Sequence, residues 1–118
     1  MKVKLYCYPR CSTCKKSENY LKEKGISYEY IDIKKNPPTL TEISDFHQQS
    51  QLPIKRFFNT SGNSYRALNL SKTMDQYSET ELYELLSKDG MLIKRPILII
   101  NEEFAGVGFK ESEWDSLF

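Results

Sequence analysis

Hydrophobic and polar residues alternate from Lys2 to Tyr8, with Val3, Leu5 and Cys7 sharing one side. Period two is the pattern of a half-buried strand. A Lys-rich run from Lys15 to Lys24 follows and reads as a helix that Gly25, a good C′ residue, brings to an end. Ser27 to Ile33 is rich in Tyr and Ile and predicts a second strand. A strand–helix–strand unit of this kind implies a parallel pair with a right-handed crossover.

Asn36-Pro37-Pro38 breaks the pattern, and Thr39-Leu40-Thr41-Glu42 then reads as a capping box. It opens a helix with Leu40, Ile43 and Phe46 on one side. Residues 53–70 predict short helical pieces around the turn Asn59-Thr60-Ser61-Gly62. There Lys55, Arg56 and Arg66 form a solvated rim over Phe57, Phe58 and Tyr65. Ser78-Glu79-Thr80-Glu81 is a second capping box, its helix carrying Leu82, Leu85 and Leu86 inward until Asp89-Gly90 stops it. Ile97 to Ile100 is apolar throughout, as in a strand covered on both faces. It pairs with Phe104 to Phe109 across Asn101-Glu102 as a hairpin. A last helix, Glu111 to Phe118, offers Trp114, Leu117 and Phe118 to the core. The predicted order is βαβ, a helical block, then ββα.

The chain has 118 residues, of which 17 are basic and 16 acidic, for a net charge of +1. That length supports one domain, residues 1–118, with a helical insertion over about 39–88. Near-neutral charge argues against direct nucleic-acid binding. No apolar run approaches a membrane span, and the N-terminus runs straight into a strand without a signal-peptide core. The expectation is a cytoplasmic monomer that binds neither membrane nor nucleic acid. All three cysteines fall between Cys7 and Cys14, an odd and clustered set unlike a secreted disulfide framework.

Chemistry concentrates at Cys11-Ser12-Thr13-Cys14, where strand gives way to helix. A helix start leaves backbone N–H groups unpaired and, with the aligned dipoles, favours an anion. Arg10, Lys15 and Lys16 add positive charge. In such a setting a thiol that titrates near ~8.5 can fall to roughly 3.5–7.5. Cys11 is therefore the expected nucleophile, and Cys14, one turn on, its resolving partner. Cys7 has inward parity and reads as a small core residue. His47, the one histidine, reads as a partly exposed polar residue near a helix end.

Several stretches together resemble the ArsC/Spx family. They are Tyr8-Pro9-Arg10-Cys11-Ser12-Thr13-Cys14-Lys15-Lys16, Asn36-Pro37-Pro38, Phe58 to Gly62 with Tyr65-Arg66-Ala67-Leu68, and Met91 to Ile97. The resemblance covers nearly the whole chain and is closer to the C-x-x-C Spx- and MgsR-like members than to true arsenate reductases. It implies an α/β, thioredoxin-like βαβ…ββα fold with a helical insertion between the halves and a four-stranded mixed sheet. Cys11 matches the family's reactive cysteine. Arg95 matches the arginine that holds the oxyanion in the reductases, and Pro96 a proline that is cis in thioredoxin-like proteins. Glutathione or thioredoxin is the implied electron donor, with no bound cofactor.

The departures carry information too. Of the reductases' three oxyanion arginines only Arg95 is present, the other positions falling on Asn59 and Phe109. Losing two charge-assisted contacts disfavours arsenate. Spx-type regulators, which bind the C-terminal domain of the RNA polymerase α subunit, have a glycine where Pro53 stands. They also have a C-terminal extension beyond the position of Phe118. Three functional readings remain open. In the first, a thiol–disulfide oxidoreductase acts on a thiol or disulfide substrate or on glutathione. In the second, a redox-sensing regulator binds the polymerase α subunit. In the third, Cys7, Cys11, Cys14 and His47 form a structural zinc site.

Overall fold

The computed structural model describes residues 1–118. Strand β1 (Val3–Cys7) is followed by helix α1 (Ser12–Glu23) and strand β2 (Glu29–Asp32). Strands β3 (Ile97–Ile100) and β4 (Glu103–Val107) and helix α6 (Glu111–Asp115) come from the C-terminal part. The sheet order is β2-β1-β3-β4, with β1 parallel to β2 and antiparallel to β3, and β3 antiparallel to β4. This is the four-stranded mixed sheet of a thioredoxin-like α/β fold that the family resemblance implies, with the parallel β1–β2 pair that the βαβ unit predicts.

Local chemistry explains the boundaries. The α1 helix ends in a Schellman pair: Ile26 N–H donates to Leu21 C=O at 2.9 Å and Gly25 N–H to Lys22 C=O at 3.1 Å. Gly25 has φ +70°, where a side chain would be strained. The β3–β4 loop is the two-residue turn Asn101-Glu102 with φ of 53° and 69°, the positive pair of a type I′ hairpin. Asn101 also ties the hairpin to the N-terminus, since its Oδ1 accepts from Lys2 N–H at 2.8 Å.

One face of this sheet is filled by Val3, Leu5, Cys7, Cys14, Tyr20, Leu21, Leu98 and Trp114, all buried, with Phe109 and Phe118 packed against them. The indole of Trp114 meets the rings of Phe109 and Tyr20 edge-on, at centroid distances of 4.8 and 5.7 Å. Tyr20 keeps its hydroxyl satisfied by donating to Asp115 at 2.6 Å.

Strands β1 and β2, helix α1 and the C-terminal ββα form one unit, Met1–Asp32 with Arg95–Phe118; Ile33–Lys94 forms a second, helical unit. In the second, α2 (Leu40–Ser50) and α5 (Glu79–Lys88) flank the short helices α3 (Asn63–Ala67) and α4 (Leu70–Thr73). Both predicted capping boxes are present. Glu42 N–H donates to Thr39 Oγ1 at 3.2 Å and Glu81 N–H to Ser78 Oγ at 3.1 Å, with each glutamate accepting in return from its cap residue's N–H. Ser78→Ala should cost about 1 kcal/mol of stability. A denaturant midpoint unchanged in that variant would show that α5 does not depend on its cap.

Phe57, Phe58 and Tyr65 are buried while Lys55, Arg56 and Arg66 are exposed, the floor and rim expected for this segment. His47 is half-buried rather than idle. Its Nδ1 lies 2.6 Å from Tyr83 Oη and its Nε2 2.9 Å from Leu52 C=O, so it ties α2 to α5 and to the following turn. No helix is long and apolar enough to cross a membrane.

Candidate active site

Cys7 closes β1, and the chain turns through Tyr8, Pro9 and Arg10 before α1 begins at Ser12. Cys11 N–H donates to Tyr8 C=O at 3.0 Å, which tightens this turn and sets Cys11 as the residue capping α1. Its backbone is extended, at φ −89° and ψ 118°, and its side chain accepts no bond from the first-turn N–H groups. Helix-start donors therefore do not grip the Cys11 sulfur directly, contrary to the simplest expectation from the motif. Cys11 is half-buried, whereas Cys14 and Cys7 are 1% and 0% exposed. Helical periodicity turns Cys14 inward against the sheet, and strand parity turns Cys7 toward it.

The sulfur that collects donors is that of Cys14. Tyr8 N–H points at it from 3.4 Å. The Cys7 and Cys11 thiols hydrogen-bond to it as well, and the positive charge of Arg95 acts on it. Together these lower the Cys14 thiol from its ordinary 9.0 to about 7, the hydrogen bond from Cys7 being the largest cause and burial opposing it. The same contact, reinforced by burial, pushes the Cys7 thiol up. One sulfur of the pair thus keeps its proton while the other gives its proton away. Ser17, fully buried, anchors this turn of α1 by donating to Cys14 C=O at 2.7 Å.

The Arg95–Pro96 peptide is cis, as the resemblance implies. Pro96 is buried and its carbonyl accepts from Gly108 N–H at 2.8 Å, which holds the entry to β3. The Arg95 guanidinium carbon lies 5.7 Å from the centre of the Tyr8 ring, a cation–π contact beside the cysteine turn. Cys11, Cys14, Arg95 and Pro96 therefore belong to one unit and one neighbourhood. Arg10 and Lys15 are exposed on the same turn and first helical residues, contributing charge rather than a fixed contact.

Among the remaining candidates, Phe109 is a partly buried ring that packs edge-on against Trp114 and Tyr20 at the core. Asn59 sits in the helical unit, its N–H donating to Leu92 C=O at 2.8 Å. No cluster of three or more His, Cys, Asp or Glu side chains is arranged to hold a metal ion, and His47 has both ring nitrogens engaged. Cys7 is the buried core residue that its parity implies, but its contact with Cys14, along with Ser17 and the Tyr8 N–H, was missed by sequence reasoning. The shared inward side of Cys7 and Cys14 and the three-residue spacing of Cys14 and Ser17 are the signals that could have found them.

The pH dependence of stability has a definite sign. Unfolded, the Cys14 thiol ionises near 9.0, and folded near 7. Cys14 therefore adds stability as pH rises from about 7 toward 9.0, and that contribution is lost as pH falls through about 7. Cys7, whose folded value is raised, acts oppositely at pH above its ordinary 9.0. Denaturant midpoints of the fully reduced protein should climb between neutral and mildly alkaline pH relative to Cys14→Ser. A constant difference between the two would contradict the assigned thiolate.

The ArsC family profile matches residues 6–117. The uncharacterized protein YusI of Bacillus subtilis (strain 168) is 44% identical over 115 residues, covering 98% of this chain and 97% of that protein. The global transcriptional regulator Spx of Listeria innocua is 32% identical over 111 residues, covering 94% of this chain and 82% of the regulator. The crystal structure of a possible arsenate reductase from Streptococcus mutans UA159 superposes with a TM-score of 0.92 at 43% identity, covering 98% of each chain. Matched along nearly its whole length by profile, relatives and fold, the chain belongs to the ArsC family.

Proposed function

We propose that this protein is a cytoplasmic thiol–disulfide oxidoreductase, linked to glutathione or thioredoxin, that works through Cys11 and Cys14. The observation that carries this reading is the division of labour between the two sulfurs: Cys11 is half-buried and reachable, Cys14 buried with its thiol lowered to about 7. The Cys11 thiolate attacks one sulfur of a substrate disulfide, forming a mixed disulfide and expelling the other sulfur as thiolate. The Cys14 thiolate then attacks Cys11, forming the Cys11–Cys14 bond as the second substrate thiolate leaves. The substrate is reduced by two electrons and the cysteine pair oxidised by two; a thiol donor resets it. Arg95 supplies positive charge beside the pair, and Pro96 shapes the adjoining backbone.

A catalyst of this kind needs a reduction potential near that of the cytosolic thiol pool, on the order of −200 to −300 mV. The deciding experiment pairs that potential with turnover on a glutathione mixed disulfide. Absence of turnover at a potential in that range would refute the reading.

The similarity to a transcriptional regulator supports a second reading, in which the same disulfide switches affinity for the polymerase α C-terminal domain. Such a switch requires a coupling free energy of roughly 1–3 kcal/mol between oxidation and binding. Pro53, at φ −58° ahead of the turn Ile54–Phe57, stands where those regulators carry glycine, and this ranks the regulator second. Tight, oxidation-dependent binding to that domain without turnover would reverse the order.

Arsenate reduction ranks below both, because one arginine replaces three. With glutathione and glutaredoxin supplied, the protein should reduce arsenate at a rate close to background. Brisk turnover would show that Arg95 alone suffices to hold the oxyanion.

A further inference from the structure

Cys7 is used by neither step of the proposed reaction, yet it is a buried thiol placed against the resolving sulfur. It closes β1 with its side chain inward, 0% exposed, in the same packed cluster as Cys14 at 1%. Around Cys14 the Tyr8 N–H comes from the chain side at 3.4 Å, and the Cys11 thiol from the end of the turn. Cys7 occupies the sheet side. We propose that Cys7 is a positioning residue of the redox site: its S–H donates to the Cys14 sulfur, stabilises that sulfur as a thiolate, and thereby sets the reduction potential of the Cys11–Cys14 pair. This deepens the oxidoreductase reading and rests on it.

The physical case starts from what burial does to a thiolate. An unpartnered thiolate at 1% exposure would be expensive, and its thiol would titrate high. Donors directed at it reverse that balance, and a thiol is a donor that adds no charge to the core. Cys7 suits this role because its own proton is held firmly: the neighbouring sulfur and burial both raise it. It therefore donates without being consumed as a second nucleophile. Charged and titratable groups facing this pair are few. Arg95 favours the thiolate, Glu18 acts against ionisation of Cys7, and Tyr28 and Tyr30 are held neutral with their phenols raised.

The consequence for redox follows from linkage. Stabilising the thiolate stabilises the reduced pair, which makes the disulfide more oxidising. Removing the Cys7 donor should raise the Cys14 midpoint by roughly one pH unit, the worth of a hydrogen bond to a charged group. Well above both midpoints, the pair then shifts roughly tenfold toward disulfide at a fixed glutathione ratio, about 30 mV. Well below both midpoints Cys14 is protonated in either protein, and the linked shift vanishes. A change that grows with pH separates this role from packing, because a cavity perturbs the equilibrium equally at every pH.

The test uses the full chain with Cys11→Ser as background, so that Cys14 is the one sulfur titrating in the accessible range. Ultraviolet thiolate absorbance is followed from mildly acidic to mildly alkaline pH in three variants: Cys7→Ala, Cys7→Val and Cys7→Ser. The apolar variants should raise the midpoint, and Cys7→Ser, whose hydroxyl can donate, should leave it near the parent value. The glutathione equilibrium of Cys11–Cys14 is then measured with Cys7→Ala at acidic and alkaline pH. A midpoint unmoved in both apolar variants, or raised equally in Cys7→Ser, assigns Cys7 to packing and overturns the proposal. So does a redox shift of the same size at both pH values. If the apolar variants do not fold, the S–H stretching band of Cys7 in the Cys11→Ser protein gives the answer. It should move to lower frequency as Cys14 ionises, and a band indifferent to pH overturns the proposal. The thiolate midpoint is read on reduced protein without substrate, so a failure of catalysis and a failure of this assignment remain distinct.

Discussion

Cys11→Ser should lose turnover on a glutathione mixed disulfide by at least about 10³-fold, the scale seen when a covalent nucleophile is removed. Cys14→Ser should behave differently: it forms the mixed disulfide on Cys11 and stalls there, visible as a stoichiometric adduct by intact mass. The pair of outcomes tests the assignment of roles between the two thiols. Cys14 is the sulfur whose thiol is lowered to about 7, and by that criterion it would be the attacker. Access decides otherwise. Attack on a disulfide requires a collinear approach of three sulfurs, and at 1% exposure Cys14 can offer that only to a partner already inside the site. Cys11, half-buried at the mouth of the turn, is the sulfur an external disulfide can reach. Turnover surviving in Cys11→Ser, with the adduct shifted to Cys14, would invert the roles and require the turn to open. The stalled Cys14→Ser adduct also serves to capture the physiological substrate by affinity purification.

The parts of this molecule governed by near neighbours along the chain are legible in the sequence itself. Alternation places β1, the two capping boxes place α2 and α5, and Gly25 and Asn101-Glu102 mark their turns, because each signal acts within a few residues. Strand β2 is shorter than its Tyr- and Ile-rich run suggests, Glu29–Asp32 rather than Ser27 to Ile33, and α6 stops at Asp115. Those ends depend on which backbone groups find partners across the fold. The cysteine motif is equally visible, but its electrostatics are not. Motif logic looks along the helix axis and assigns the stabilised anion to Cys11. What that logic does not reveal is the lowered Cys14 thiol, to which the third cysteine, from a different element, donates. His47 shows the same limit: its partners, Tyr83 and Leu52, are invisible to a reading that searches for helical spacing.

Gly90→Ala should destabilise the helical unit by about 3 kcal/mol or more, a large fraction of the stability of an ordinary domain. In sequence this glycine reads as a helix stop, a position chosen for backbone freedom. The structure gives it a different reason. Asp89 ends α5 with an extended backbone and caps the turn Gly90–Leu92 by accepting from Met91 N–H at 2.9 Å. Gly90 is buried, and a β-carbon built there would lie 1.8 Å from the carbonyl oxygen of Ile33 and 2.6 Å from its carbonyl carbon. Both atoms are main chain, so no rotamer change relieves the overlap. Either the 33–34 segment or the turn must move, and the turn leads directly to Leu92 and Ile93, both 0% exposed. Ile93 is bridged to Phe58, and Lys94 N–H donates to Phe57 C=O at 2.9 Å, so a displaced turn disturbs these pairings too. The comparison that isolates close approach from flexibility is Gly25→Ala. There φ is +70° with nothing within 4 Å, and the cost should be about 1 kcal/mol from backbone strain alone. Denaturant unfolding of the two variants should rank Gly90→Ala as several times the more damaging. Equal losses would mean that Gly90 is needed for conformational freedom after all, and that the packing against Ile33 yields without penalty.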